Sequence, residues 1–535
     1  MHQHPTLLII ISMIILLSCF KLKKIFAFVT ILYPIVILLL LPENNGTELF
    51  KIFDINLGVN FNFENRTITV AFATVTIAAN YYSLSQRHQW TVIWGGLYFA
   101  AACYCLYADD FISLFIALEY MMLTACILIY ASNNKNRLLA TKQYFITHLT
   151  SSSLLLIAIS YLIITTNDTK IIPLTGLFSG NNYEMIIGVI ILIGCLINVA
   201  AVPFSSWVVN CYPAADNASF IYLSTFTTKI SIIILTKLFC GFIPLKYFGI
   251  LMIIYGAFYA CKENNLKRLL CYLAIAQLGV IVIMIATSNT QPLALTYYIA
   301  NHIIYNAVFA ILIAILADNT NIVYCSELKR IKNYLWIITT NIVMLMVFNF
   351  PLSSSFILKL TLSTTITENL TAYTLIMFNL ILFIAIPIRE YFYSKEILSI
   401  KISNLQVLSI IIPTLTMLFI NFQLIKTYFS TASSITSDII KQTMIVLAGI
   451  ISTLLLKTSR NPIKFTKLNL LKKMLSHIKK RYSKYQNQND TLNDLSLLWF
   501  ITGYCRKSYT IHNQQLAIAI VFCLLISMII IFNIT

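Results

Sequence analysis

Four ionisable side chains lie inside apolar stretches of the sequence, where a charge is costly. They are Glu119, Lys229, His302 and Lys359. Ionisable residues within membrane-spanning segments commonly mark ion pathways and proton relays. Each of these side chains can bind and release a proton, and moving one charge changes the proton affinity of its neighbours. The four residues therefore predict a proton or cation relay. A fixed structural ion pair is the alternative for Glu119, and a structural histidine is the alternative for His302.

Two more titratable residues lie in apolar surroundings but carry a weaker signal. His148 stands in the stretch FITHLTSSS, and Lys237 lies nearer the end of its apolar run. A lysine near a helix end often extends along the apolar surface until its ammonium group reaches the interface. A lone histidine on an apolar helix is often structural, so both residues are assigned a supporting role.

The composition is far too apolar for a protein that is dissolved in water. Of the 535 residues, 59% are hydrophobic and only 10% are charged, whereas soluble domains carry roughly 25% charged residues. Lipid leaves only helices and closed barrels to satisfy the backbone, and the continuous, non-alternating apolar runs exclude a barrel. The sequence predicts an all-α polytopic membrane protein with about 14–16 transmembrane helices.

No sequence motif points to chemistry on a soluble substrate. Glycine-rich phosphate loops, paired zinc motifs and nucleophile elbows do not occur. The 12 cysteines lie mostly within apolar segments, where cysteine behaves as a small hydrophobic residue. We therefore expect neither a metal site nor a cofactor.

The net charge of +18 is distributed unevenly. If the N-terminus lies outside, most of the 37 basic residues fall on one face, as expected for the cytoplasmic side of a membrane protein. The basic segment 457–514 is expected to contact lipid headgroups on that face. This topology explains the charge without nucleic-acid binding.

Apolar runs and the polar segments between them divide the chain into six parts. In order they are N-terminal helices with a polar excursion at 42–66 (1–66), a first half (67–240), a second half (241–400), C-terminal helices (401–456), a basic cytoplasmic segment (457–514) and a final transmembrane helix (515–535).

Each half contains an apolar run that is interrupted by proline. Pro203 interrupts the run 184–209, which an unbroken span at 217–240 follows, and Pro351 interrupts the run 334–364. Proline lacks a backbone donor and breaks a helix. Interrupted segments in corresponding halves predict two inverted five-helix repeats with an ion site near the membrane midplane.

Five ordered motifs across roughly residues 55–365 resemble the proton-translocating antiporter family. That family includes the D subunit of Mrp-type cation/proton antiporters and the related complex I subunits 2, 4 and 5. The motifs are FISLFIALEYMMLTACILIYAS, NVAAVPFSSWVVNCYPAADN with TTKISIIIL, NNLKRLLCYLAIAQLGVIV, NHIIYNAVFAIL and FPLSSSFILK.

The resemblance implies two half-channels joined by a hydrated polar axis. In that axis Glu119 would tune the proton affinity of Lys229, His302 would pass protons across the middle, and Lys359 would exchange them with the other side. The resemblance also implies partner subunits in a membrane complex, protons and Na⁺ or K⁺ as transported ions, and the bacterial inner membrane as location. The mitochondrial inner membrane is the alternative.

Three positions depart from the family pattern. Asn198 and Asn306 stand where the family has lysines, and Ser205 stands where it has a histidine. Asparagine can hydrogen-bond to water but carries no charge at neutral pH, so Asn198 and Asn306 are assigned supporting roles. Three functions stay open: a D-like subunit of a cation/proton antiporter, which we favour, a proton-pumping membrane-arm subunit of complex I, and a scaffold that transports nothing.

Overall fold

Long apolar helices make up most of the part of the chain that the structure, a computed structural model, describes. The described residues are 23–40, 46–52, 55–287, 293–347, 353, 356–357 and 397–429. In chain order the helices are α1 (Lys23–Leu40), α2 (Phe63–Ser85), α3 (Gln89–Tyr107), α4 (Phe111–Tyr130), α5 (Arg137–Thr166), α6 (Asn182–Asn198), α7 (Ser206–Cys211), α8 (Asn217–Leu223), α9 (Thr227–Phe239), α10 (Leu245–Lys262), α11 (Leu266–Thr287), α12 (Leu293–Thr320), α13 (Tyr334–Val347) and α14 (Asn404–Phe429).

Eight segments within the described residues are long and apolar enough to cross a membrane. They are Gln89–Tyr107, Phe111–Tyr130, Arg137–Thr166, Asn217–Phe239, Leu245–Lys262, Leu266–Thr287, Leu295–Thr320 and Asn404–Lys426. At about 1.5 Å of rise per residue, helices of this length suit the hydrocarbon core of a bilayer. The all-α polytopic architecture is thus confirmed. The predicted parts 457–514 and 515–535 lie outside the described residues.

The segment that was expected to be a polar excursion, 42–66, contains a β-hairpin. Strand β1 (Gly46–Ile52) pairs antiparallel with β2 (Ile55–Phe61). The apolar residues of β2 alternate with polar or small ones, and Val59 and Phe61 are buried, which is the two-residue period of a half-buried strand. A second, parallel pair joins the two-residue strands β3 (Arg330–Ile331) and β4 (Ile397–Leu398).

The break that was predicted at Pro203 separates α6 from α7. Helix α6 ends at Asn198, Ala200 has a left-handed φ of 60°, and the helical backbone resumes at Ser206. Pro203 lies in this gap. Proline has no backbone N–H group, and in the gap no helical hydrogen bond requires one. The corresponding break at Pro351 lies outside the described residues, so the inverted repeat stays a prediction.

The segment 217–240 contains a candidate membrane span, as expected, but its helix is interrupted. Helix α8 ends at Leu223 and α9 begins at Thr227. The hydroxyls of Ser224 and Thr225 both donate to the carbonyl oxygen of Ile221, at 3.1 and 3.0 Å. Such side-chain bonds to the preceding turn compete with the helical backbone pattern, and they accompany an interruption that contains no proline.

The apolar stretches of the α8–α9 segment, α11 and α12 are completely buried, whereas α5 exposes much of its surface. Apolar residues all around a helix are typical of such a central position. Glycines allow α10 and α11 to approach closely, because a Cβ atom on Gly279 would lie 2.6 Å from the carbonyl oxygen of Gly249. A Cβ atom on Gly256 would lie equally close to the carbonyl oxygen of Tyr272.

We predict that Gly279→Ala lowers the free energy of unfolding by about 1–3 kcal/mol, because the backbone of α10 has to move away from the new methyl group. Thermal unfolding of the purified protein in detergent measures the effect. Gly176→Ala is the matched control, since a Cβ atom there meets nothing within 4 Å. Equal unfolding midpoints for the two variants would contradict the close packing of α10 and α11.

Candidate functional site

Lys229 lies in the first turns of α9 and is only 1% exposed. Its Nζ donates to the backbone carbonyl oxygen of Ser224 at 2.5 Å. Ser224 belongs to the interruption between α8 and α9, where the backbone departs from the regular helical pattern. Irregular backbone of this kind is tolerated at membrane depth where it is enclosed by protein or lines a hydrated cavity, and here it solvates an ammonium group.

His302 lies on α12 and is fully buried. Its Nε2 is 3.1 Å from Oε1 of Gln277 on α11 and 3.0 Å from Nδ2 of Asn306, one turn further along α12. A protonated Nε2 can donate to the Gln277 oxygen, and an unprotonated Nε2 can accept from the Asn306 amide. The imidazole therefore has a partner for Nε2 in either protonation state.

The charges of Lys229 and His302 interact across the core. The two groups lie near enough for an electrostatic interaction, and Lys229 also interacts with Cys271 on α11. A charge on one group would raise the free energy of a like charge on the other. The structure thus brings together two of the four predicted relay residues.

Additional buried polar atoms surround His302 on α12. Both side-chain atoms of Asn301, the hydroxyl of Tyr305 and Nδ1 of His302 have no hydrogen-bond partner among the described residues. Buried polar groups in folded proteins are nearly always satisfied by protein or by ordered water. This part of α12 is consequently suited to bind water or a small ion.

A further polar cluster lies at the first break. His148 on α5 is buried, and its Nδ1 is 3.0 Å from Oδ1 of Asn198 at the end of α6. Its ring packs on Tyr144 and Trp207, with centroids 4.2 and 4.5 Å away. The Tyr144 hydroxyl contacts the hydroxyl of Thr227 at 3.1 Å, and Thr227 is the first residue of α9.

Two polar cavities lie at opposite ends of the α8–α9 segment. One, of 730 Å³, adjoins the start of α8, and its lining includes Asp216, Lys267 and Asp318. The other, of 190 Å³, adjoins the end of α9, and its lining includes Asp109 and Lys237. Since Asn217–Phe239 is one candidate membrane span, Lys229 lies between cavities on opposite faces.

Lys237 has a definite structural role at its end of α9. Its Nζ donates to the carbonyl oxygens of Leu106 and Ala108, at 2.9 and 3.1 Å. These carbonyls belong to the C-terminal end of α3, where a lysine stabilises unpaired helical acceptors. The ammonium group of Lys237 is bound inside the protein beside the smaller cavity.

Glu119, a further predicted relay residue, has no described bond to this centre. Glu119 is half-buried on α4, its Oε1 has no hydrogen-bond partner, and it forms no ion pair with Lys229. Lys359 and Pro351 lie outside the described residues. Among the described residues no group of three or more histidine, cysteine, aspartate or glutamate side chains could hold a metal ion.

Sequence reasoning missed three contributors to the centre. Gln277 lies in the motif AIAQLG, where a polar residue in an apolar helix was the available signal. Tyr98 and Thr227 share a buried hydroxyl–hydroxyl hydrogen bond that joins α3 to α9. Nothing in the spacing of Tyr98 and Thr227 along the chain indicates this contact.

A polytopic helical protein with a broken helix, a buried lysine at a backbone interruption and polar cavities on opposite faces has the architecture of an antiporter-like membrane subunit. Residues 108–388, more than half of the chain, match the family model of the NADH:quinone oxidoreductase/Mrp antiporter transmembrane region. The chain belongs to this family.

Curated relatives match a central part of the chain. NADH-quinone oxidoreductase subunit N of Francisella tularensis subsp. holarctica is 28% identical over 244 residues, which are 42% of this chain and 50% of that protein. Subunit N of Leptospira interrogans is 32% identical over 219 residues, 38% of this chain and 43% of that protein. NADH-ubiquinone oxidoreductase chain 2 of Dictyostelium discoideum is 26% identical and covers 48% and 57%. The matches thus span about half the length of these relatives.

Two solved structures share the fold. A chain of an archaeal respiratory membrane complex, the membrane-bound sulfane sulfur reductase, superposes with a TM-score of 0.65 at 15% identity, over 83% of this chain and 98% of that chain. A chain of the Mrp complex from a Dietzia species gives a TM-score of 0.57 at 14% identity, over 78% and 77%. At these identities the likeness concerns the fold alone.

We predict that Thr227→Val lowers the free energy of unfolding by about 1–3 kcal/mol, because it removes the partner of two buried tyrosine hydroxyls. Chemical unfolding in detergent measures the loss. Thr236→Val is the control on the same helix, since the Thr236 hydroxyl bonds to the carbonyl of Ile232 in its own helix. If both variants lose equal stability, the link between Tyr98, Thr227 and Tyr144 does not stabilise the core.

Proposed function

We propose that the chain is a proton-translocating membrane-arm subunit of a multisubunit respiratory complex in the inner membrane, comparable to NADH-quinone oxidoreductase subunit N. The observation that carries this proposal is the pair of partners at Nε2 of His302, Gln277 as acceptor and Asn306 as donor. Nε2 of His302 can donate to the Gln277 oxygen when it carries a proton and accept from the Asn306 amide when it does not, so it can gain and lose a proton without losing its hydrogen bond.

The geometry supports a relay in which Lys229 and His302 hold protons in turn. A proton reaches Lys229 from the cavity at one end of the α8–α9 segment, and the Ser224 carbonyl solvates the resulting ammonium group. When Lys229 is charged, electrostatic repulsion disfavours a proton on His302. When Lys229 releases its proton, His302 can take one up at Nε2, with the Gln277 oxygen as acceptor.

Glu119 and Lys359 keep the roles that the family resemblance implies. Since Glu119 has no bond to Lys229, it would act on Lys229 through space or after a rearrangement of α4. Lys359 would exchange protons with the opposite face. Asn306 carries no charge and would instead orient His302 by donating to its Nε2.

The relatives support a subunit N-like role over the antiporter D-like role that the sequence motifs favoured. The curated relatives reported above are named as subunit N or chain 2 of NADH dehydrogenases, while the likeness to the Mrp complex is a likeness of fold. In a subunit N-like role, partner subunits would carry out electron transfer, and this chain would move protons with the released free energy.

We expect Lys229→Met to lower the proton flux through this chain about tenfold or more, because the substituted side chain cannot carry a proton. His302→Gln should act in the same way. Flux is measured by a pH-sensitive dye with the whole complex reconstituted in vesicles. Lys135→Met and His88→Gln, at exposed and half-buried positions outside the centre, are the controls. Normal flux in Lys229→Met would refute the relay.

Proton flux in the same vesicles should not depend on Na⁺ or K⁺. A subunit N-like pump moves protons with redox free energy alone, whereas a cation/proton antiporter needs a counter-transported cation. The measurement compares flux in sodium, potassium and choline buffers at equal ionic strength. Proton flux that requires Na⁺ or K⁺ would favour the D-like antiporter function. A wild-type complex in which this chain moves no protons would favour the scaffold function.

A further inference from the structure

His148 lies at the first helix break, where its Nδ1 contacts Asn198. The side chain is 5% exposed, lies on α5, and reaches across to Asn198, the last residue of α6. Helix α5 packs closely on α6, where the Ser151 hydroxyl donates to the Gly194 carbonyl at 2.8 Å. The imidazole is therefore held at the point where the helical backbone of α6 stops.

The two ring nitrogens of His148 have different surroundings. Nδ1 is 3.0 Å from Oδ1 of Asn198, so an Nδ1–H group donates to this amide oxygen. Nε2 is buried and has no hydrogen-bond partner among the described residues. With the proton placed on Nδ1, the lone pair of Nε2 is available to take up a second proton.

A line of contacts leads from this imidazole to the first residue of α9. The His148 and Tyr144 rings lie 4.2 Å apart, and the Tyr144 hydroxyl contacts Thr227 at 3.1 Å. Thr227 begins α9, two residues before Lys229. The break after α6 and the interruption before α9 are thus joined through aromatic and hydroxyl groups in the core.

We propose that His148 is an additional proton-carrying residue, which holds a proton at the first helix break and exchanges it with the Lys229 centre. The proposal rests on the proton-translocating function given above. In each cycle an N–H bond forms at Nε2 as a hydrated donor loses its proton, and the same bond breaks when the proton passes on. The transported proton is the only reactant, and Asn198 keeps the ring oriented throughout.

The described groups around His148 include no counter-ion. Tyr144 on its own helix packs on the His148 ring, Tyr212 after α7 and Cys126 on α4 lie near Tyr144, and Cys195 lies on α6 one turn before Asn198. No charged side chain among the described residues forms an ion pair with His148 or interacts with it electrostatically. A counter-ion would hold one charge state permanently, and none of the described groups supplies one.

His148→Gln in the whole complex tests the proposal, because glutamine retains a polar group at the break but cannot carry a proton. We expect proton flux in vesicles to fall about tenfold or more, with His88→Gln as the control. A His148→Gln complex with wild-type flux and a wild-type pH profile would overturn the proposal.

Asn198→Asp is the second test, and it leaves His148 in place should His148→Gln fail to assemble. A carboxylate next to the imidazole favours its protonated form, so the flux–pH profile is expected to move to higher pH by about one unit or more. A purely packing role would leave the profile unchanged, which would overturn the proposal. Lys229→Met in the same series separates the two hypotheses. If Lys229→Met lowers flux, while His148→Gln keeps wild-type flux and Asn198→Asp keeps the wild-type pH profile, the His148 proposal alone fails.

Discussion

The arrangement of polar groups around Lys229 depends on the free-energy cost of burying its ammonium group. Lys229 is almost completely enclosed and forms no ion pair with any described carboxylate. A charge in such surroundings persists only where polar groups replace water. The Ser224 carbonyl does so because the chain is not helical between α8 and α9. The backbone interruption therefore makes the buried charge possible.

Close helix packing determines what faces His302. Gly249 and Gly279 allow the backbones of α10 and α11 to touch, and α11 is consequently held deep in the core. Gln277 lies on this helix, two residues before Gly279, and reaches His302 on α12. A looser contact between α10 and α11 would displace Gln277. Close packing at these glycines thus holds Gln277 in contact with the His302 imidazole.

The relay residues could be found from the sequence because a charged or titratable side chain in an apolar run is rare and costly. That reasoning located Lys229, His302 and the break at Pro203. It did not locate Gln277, Tyr98 or Thr227, since neutral polar residues within helices are common and their partners lie on other helices. It also treated 217–240 as one helix, because no proline or glycine marks the interruption, and it overlooked the hairpin within 42–66.

By itself the sequence determined that this is a helical membrane protein and which titratable groups could move protons. These properties depend on composition and on the order of residues along the chain. The tertiary structure decided which of those groups meet. It placed Lys229 near His302, His148 beside Asn198, and Glu119 away from a direct bond to Lys229. The reason is physical. A hydrogen bond tolerates a change of only a few tenths of an ångström in the donor–acceptor distance, and the packing of helices far apart in sequence sets that distance.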